Sequence, residues 1–211
     1  MADGSMTGWS APEHALAYLA RADSLPHRAE GEAVLLDHVP HDAQRILDLG
    51  TGDGRLLALL RLDRPDSFGV GLDVSEPMLQ AARARFSGQS GVELVRHDLS
   101  EPIPELGRFD AVVSCFAIHH LQDTRKRALY QEAFDLLVPG GVFCNLEHVA
   151  SPTPRMHRAF YQALGYGPDF EDPSNHLLDS ETQLRWLREI GFTDVDCYWK
   201  WLEMGLLIGF T

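Results

Sequence analysis

The sequence predicts an α/β fold, doubly wound, with a mostly parallel sheet and helices on both faces. Three observations carry this. Strand-like and helix-like stretches alternate through the middle of the chain. The strand-like stretches are apolar runs rather than polar–apolar alternations. The first of them runs straight into a glycine-rich turn. Alternation in chain order calls for crossover connections and parallel strands, and strands covered on both faces lose their polar side.

The elements follow in order. Residues 12–39 carry no strand signal and read as two helices, "PEHALAYLARA" and "HRAEGEAVLLDHV". "RILDL" is the first strand, and Arg55 to Leu62 is a Leu-rich helix. "SFGVGLDV" is the second strand. The helix "SEPMLQAARARF" has Ser75 as a cap and Pro77 in its first turn, where a missing N–H costs nothing. "VELVRHDL" is the third strand, and "FDAVVSCFAIHHL" holds a fourth. The helix "TRKRALYQEAFDLL", closed by "VPGG", leads to a fifth strand in "GVFCNLEHV".

Residues 151–180 are rich in Pro, Gly, Asp and Ser around "RAFYQALGYGPDF", as a substrate-covering insertion or a plain surface crossover would be. After the helix "ETQLRWLREI", "FTDVDCYWKW" and "LEMGLLIGF" are expected to pair as an antiparallel hairpin at the sheet edge, making seven strands. The expected organisation is one domain over 1–211. It comprises a helical cap (1–40), a binding core (41–150), the insertion (151–180) and a C-terminal helix and hairpin (181–211).

Composition narrows the function. The 211 residues carry 31 acids against 18 bases, a formal net charge of −13. Nucleic acid and anionic membranes both call for a basic face, so neither is an expected partner. Cys115, Cys144 and Cys197 form no CxxC pair and read as reduced thiols. No apolar run approaches a membrane span, and the first residues lack a secretory pattern, so a cytoplasmic location is expected.

The turn in "LDLGTGDG" poses the chemical question. Glycines between a strand and a helix let a ligand approach bare backbone. The dinucleotide fingerprint is G-x-G-x-x-G, but here Gly50, Gly52 and Gly54 alternate and Arg55 takes the place of its last glycine. Asp48 and Asp53 add negative charge, which repels phosphates and suits a cation.

"LDLGTGDG", "VGLDVSEPML", "VRHDL", "RFDAVVSCFAIHHL" and "LLVPGGVF", in that order, resemble the motifs of class I S-adenosylmethionine-dependent methyltransferases over about residues 40–150. The resemblance is to small bacterial enzymes acting on small molecules. It implies a Rossmann-like fold, S-adenosylmethionine as cofactor and S-adenosylhomocysteine as product. It also implies an acid, Asp73, for the ribose hydroxyls and another, Asp98, facing the adenine amino group. Gly50, Thr51, Gly52, Gly54, Val74 and Cys115 are expected to contact the cofactor.

The ligand's chemistry agrees. Asp48 and the backbone near Gly50 suit the α-ammonium group, the Leu99 amide offers a donor to the adenine ring, and Met78 and Phe116 offer apolar walls. Arg28 is either a surface arginine or a partner for the methionine carboxylate. Trp9 and Tyr18 either close the pocket or only pack.

Methyl transfer needs alignment and exclusion of water, with a base if the nucleophile carries a proton. His119 and His120 follow the fourth strand, where ligands bind in such sheets. Either acts as a base, with His120 slightly preferred, or both simply wall the pocket. Glu147 and His148 end the fifth strand and could hold a polar substrate. Metal ligation by these four residues is not expected, because the fourth-strand motif lacks the acid of cation-dependent enzymes.

The expected activity is methyl transfer to O, N or C of a small molecule, by a monomer or homodimer. The alternatives are a non-catalytic binding module and an enzyme that modifies the cofactor itself. A nicotinamide-dependent oxidoreductase is disfavoured by the glycine spacing.

Overall fold

A computed structural model describes residues 25–167 and 170–211. The stretch 12–22, Trp9 and Tyr18 lie outside the described residues. The chain opens with α1 (Arg28–His38), followed by β1 (Arg45–Leu49), α2 (Arg55–Asp63), β2 (Phe68–Asp73), α3 (Glu76–Arg85), β3 (Val92–Arg96) and β4 (Phe109–Cys115). A 3-10 turn (Ile118–His120) leads to α4 (Asp123–Leu136) and β5 (Leu137–His148). Next come α5 (Pro154–Ala163), α6 (Ser180–Ile190), β6 (Thr193–Trp201) and β7 (Met204–Phe210).

The sheet has seven strands in the order β3-β2-β1-β4-β5-β7-β6. The first five run parallel, and β7 is antiparallel to both β5 and β6. Successive side chains alternate faces, so each strand feeds two cores. Ile46, Ala111, Val113 and Cys144 pack with Leu57 and Leu60 of α2 and Leu35 of α1. Leu47, Val112 and Phe143 pack on the other side with Leu129, Tyr130 and Ala133 of α4 and Leu187 of α6. Both faces are covered, which is why the strands read as apolar runs.

Two expectations are corrected. Ser75 sits at the start of α3, but its side chain makes no capping bond. Its hydroxyl is buried without a partner among the described residues, and its amide donates to Asp73 Oδ1 at 2.8 Å. "VPGG" does not close a helix ahead of the strand but lies inside β5. The β4–β5 register shifts there, and Gly140 and Gly141 exchange backbone hydrogen bonds with Thr211. The C-terminal hairpin lies at the sheet edge as expected, with β6 outermost and β7 between β5 and β6. The burial of β7 is continuous, whereas β6 alternates as a strand with one wet face does.

All three cysteines are free thiols. Among the described residues no helix is long and apolar enough to cross a membrane.

Candidate active site

The site begins where β1 ends. Gly50 has φ +73, and a Cβ there would lie 2.2 Å from Ala117 Cβ, in the segment after β4. Gly54, at φ +77, would put a Cβ 2.5 Å from the Phe86 ring. These two glycines let neighbouring elements close on the turn. Gly52 differs: nothing lies within 4 Å of its Cβ position, so its backbone faces open space.

Two carboxylates brace the turn. Asp73 Oδ2 accepts the Gly52 N–H at 2.8 Å, and Asp48 Oδ2 accepts the Thr51 hydroxyl at 2.8 Å.

Over this turn lies an open cleft. The turn lines it with Asp48, Gly50, Thr51, Gly52 and Asp53, and α2 adds Arg55 and Leu56. The end of β2 and the start of α3 supply Asp73, Val74 and Met78, and the exit of β3 supplies His97 and Leu99. Beyond β4 come Cys115, Phe116, Ala117 and His120, and Arg28 reaches in from α1. Phe116 holds a left-handed conformation, φ 53, pinned by its N–H to Leu146 O at 2.8 Å. Such a conformation is costly for a bulky side chain and is kept where the surroundings over-determine it.

Gly54, Asp98 and His119 do not line the cleft. Gly54 is backed by Phe86. Asp98 Oδ1 accepts the Ser100 N–H at 2.9 Å, closing its own turn. His119 engages Glu147 instead.

The cleft is acidic. Burial pushes Asp48 up to about 7; the Thr51 hydroxyl and Arg28 oppose this, while Asp73 and Asp53 add to it. Burial also raises Asp73, against the amide hydrogen bonds that favour its charged form. Arg28 is no surface residue: it is 6% exposed, and its Nε donates to Glu32 Oε1 at 2.7 Å. Arg55 Nε also reaches Glu32, at 3.1 Å.

A second polar cluster lies beside the first. His119 Nδ1 is 2.5 Å from Glu147 Oε1, which also accepts the His148 N–H at 2.8 Å. Glu147 Oε2 is buried without a partner among the described residues. His148 Nε2 is 2.9 Å from Glu203 Oε2. Glu203 also takes His157 Nδ1 at 2.8 Å, and His157 Nε2 is 3.2 Å from Glu171.

The His119 and His120 rings pack with centroids 3.9 Å apart. Burial lowers both imidazoles, His120 to about 3 and His119 well below its ordinary value, so neither is a cation at neutral pH. Burial raises Glu147 to about 7. The segment before α6 straps across this cluster. His176 N–H donates to His119 O at 2.8 Å, His120 Nδ1 is 3.1 Å from Ser174 O, and Lys126 Nζ donates to His176 O.

Among the described residues no three His, Cys, Asp or Glu side chains form a group able to hold a metal ion. Sequence reasoning did not name His97 as a site residue, yet it lines the cleft. It also missed the parts played by Glu32, His157 and Glu203, whose partners lie on other turns and strands.

The comparisons with known proteins agree with this geometry. The family model "Methyltransferase domain" matches residues 46–141. An uncharacterized methyltransferase of Mycobacterium tuberculosis is 34% identical over 135 residues, covering 64% of each chain. The match thus spans just under two thirds of that relative. A trans-aconitate 2-methyltransferase of Methylobacterium radiotolerans is 33% identical over 150 residues, covering 70% of this chain and 55% of its own. A solved structure titled "PigF with SAH" superposes with a TM-score of 0.70 at 14% identity, covering 96% of this chain and 60% of the other. The glycine turn, the acid ending β2, the seven-stranded topology and these matches lead to one conclusion: residues 46–141 form a methyltransferase domain of the class I S-adenosylmethionine-dependent type.

Proposed function

We propose that the protein transfers the methyl group of S-adenosylmethionine to a hydroxyl or amine of a small molecule. The observation that carries this is the His119–Glu147 pair, buried beside the cofactor cleft and strapped over by residues 170–178.

In this reading Asp73 receives the ribose hydroxyls. Each of its oxygens already accepts one backbone N–H and has a second lone pair free. Asp48 and the open backbone at Gly52 face the ammonium and sulfonium end. Arg28 takes the methionine carboxylate, and Met78 and Phe116 wall the base. Three aspartates around the turn favour a cation and disfavour a diphosphate.

The chemistry follows from the dyad. A lone pair on the acceptor O or N forms the new bond to the methyl carbon. The carbon–sulfur electrons return to sulfur, leaving the neutral thioether. The acceptor's proton passes to His119 Nε2, since Glu147 occupies Nδ1. Glu147 orients the ring and stabilises the imidazolium as it forms. His120, which lines the cleft and whose Nδ1 is turned to Ser174 O rather than to a carboxylate, serves as the wall between cofactor and acceptor.

A carboxylate acceptor is disfavoured. It would meet the Glu147 and Glu203 carboxyls and neutral imidazoles, while Lys126 is held by Asp123 and His176 O. Burial raises Glu147 to about 7, so turnover rises with pH as its carboxyl ionises and can stabilise the imidazolium.

The test is S-adenosylhomocysteine release with a panel of phenols, alcohols, amines and carboxylates. Turnover with a hydroxyl or amine, and a pH dependence lost in Glu147→Gln, is the expected result. Turnover with carboxylates alone would refute the acceptor class. A blank across the panel would favour a binding module.

A further inference from the structure

Lys126 is charged and almost fully buried, at 1% exposed. Lysine is found in such a place only when its ammonium is paired. Here Nζ donates to Asp123 Oδ1 at 2.9 Å, one turn back on α4, and to the backbone carbonyl of His176 in the strap. Asp123 is half-exposed, so the countercharge is a solvated one. An apolar side chain of similar volume would fill the space without the desolvation cost. Packing alone therefore does not call for an ammonium at this position.

His176 is gripped on both sides of its backbone. Its N–H donates to His119 O at 2.8 Å, and its carbonyl accepts from Lys126. Gln122, at the start of α4, reaches the His176 ring at 3.0 Å. Lys126, the backbone of His176 and the carbonyl of His119 thus form one hydrogen-bonded chain from α4 through the strap to the turn that carries the base.

The helix register sets the same lysine over the dyad carboxylate. Asn145 Nδ2 donates to Tyr130 OH at 3.2 Å, which fixes α4 against β5. α4 is the crossover between the parallel strands β4 and β5, so it runs opposite to β5. One turn back from Tyr130 to Lys126 covers about 6 Å. Two residues on from Asn145 to Glu147 cover about 6.6 Å on one face of the strand. The two steps match in length and direction.

We propose that Lys126 is a positioning residue for the methyl transfer: through the backbone of His176 it fixes the turn that carries His119, and so couples the strap to the base. This deepens the function proposed above and rests on it.

Two measurements on the whole protein test it with Lys126→Met, which keeps the volume and removes the donor. Amide hydrogen exchange reads the His176 N–H directly and needs no substrate. That amide should exchange about 10- to 100-fold faster in the variant, the value of a hydrogen bond to a charged group, while the amides of β1 and β4 keep their rates. Turnover is then measured with the best acceptor of the panel above. Here kcat should fall about 10- to 100-fold, as misplacement of a catalytic group does, with the KM for S-adenosylmethionine unaltered. Lys126→Arg, which restores a charged donor, should recover most of both losses. Asp123→Asn, at the half-exposed end of the pair, makes the same test with less risk to folding. Without its countercharge the ammonium turns to water or loses its proton, and the His176 amide should again exchange faster, by a smaller factor.

Unchanged exchange at His176 in these variants would overturn the inference. Faster exchange throughout the sheet would make Lys126 a residue of the core and overturn it too, as would a loosened strap with kcat unaltered. A wild-type protein silent across the whole panel would instead bring down the proposed function, and this inference with it.

Discussion

The glycine turn and the histidine cluster hold buried charge in opposite ways. Around the turn, Asp48 and Asp73 are desolvated and lean on neutral partners, and burial raises both. In the cluster, Glu203 is fully buried yet lowered. Burial alone would raise it, but hydrogen bonds from His148, Ser151 and His157 outweigh that. In the function proposed above the first region receives the ligand's positive charge, whereas the second is already paired within the protein. The difference separates the place where the ligand's charge binds from the scaffold that aims the chemistry. Glu147 stands between the two cases, with one oxygen engaged and one unpartnered.

The comparison is tested most severely at the dyad. His119→Gln removes the proton acceptor and should lower turnover about 10²- to 10⁴-fold while leaving cofactor affinity nearly intact. An equal loss of affinity would mean that the cluster and the cleft are one unit.

Gly50→Ala comes next. A left-handed alanine driven into Ala117 should cost about 2–4 kcal/mol of stability in urea unfolding. An unchanged midpoint would show that the turn is looser than it looks.

Asp73→Asn keeps the shape but weakens acceptance of the ribose hydroxyls. It should cost about 1–3 kcal/mol of cofactor binding, and unaltered affinity in a folded variant would refute the ribose role.

The smallest effect belongs to the outer end of the network. Burial opposes the charged form of His157, but hydrogen bonds to Glu203 and Glu171 raise its pKa above the ordinary value. Its contribution is therefore fully present below about 6.5, the unfolded value, and is lost as pH rises through the raised folded value. His157→Gln should lower the melting temperature at pH 6, by less than about 1 kcal/mol of stability, and by less still at pH 9. A larger loss at pH 9 would contradict the clamp.

Much of this was legible in the sequence because it is local. The apolar runs of β1, β2 and β4, the glycine spacing and the acid ending β2 all sit within short windows. What was not legible depends on distant partners. His148 meets Glu203 across 55 residues, and nothing near either one signals it. His97 and Asp98 are adjacent, and only the exit geometry of β3 decides which of them faces the cleft. The edge hairpin was legible too: "LLIGF" is a continuous apolar run, as the inner β7 requires, whereas "TDVDCYWKW" alternates as the outermost β6 does. Arg28 stays ambiguous in sequence because its burial comes from packing on Phe116 and pairing with Glu32.

The central claim is that the turn holds carboxylates waiting for a positively charged, phosphate-free nucleoside. Calorimetry with S-adenosylmethionine and with NAD, at pH 6 and pH 8 in buffers of differing ionisation enthalpy, tests it directly. The expected result is binding of S-adenosylmethionine with proton release, about tenfold weaker at pH 6 than at pH 8 because Asp48 must ionise, and loss of that pH dependence in Asp48→Asn. Binding of NAD without S-adenosylmethionine, or an affinity that does not change across this range, would contradict it.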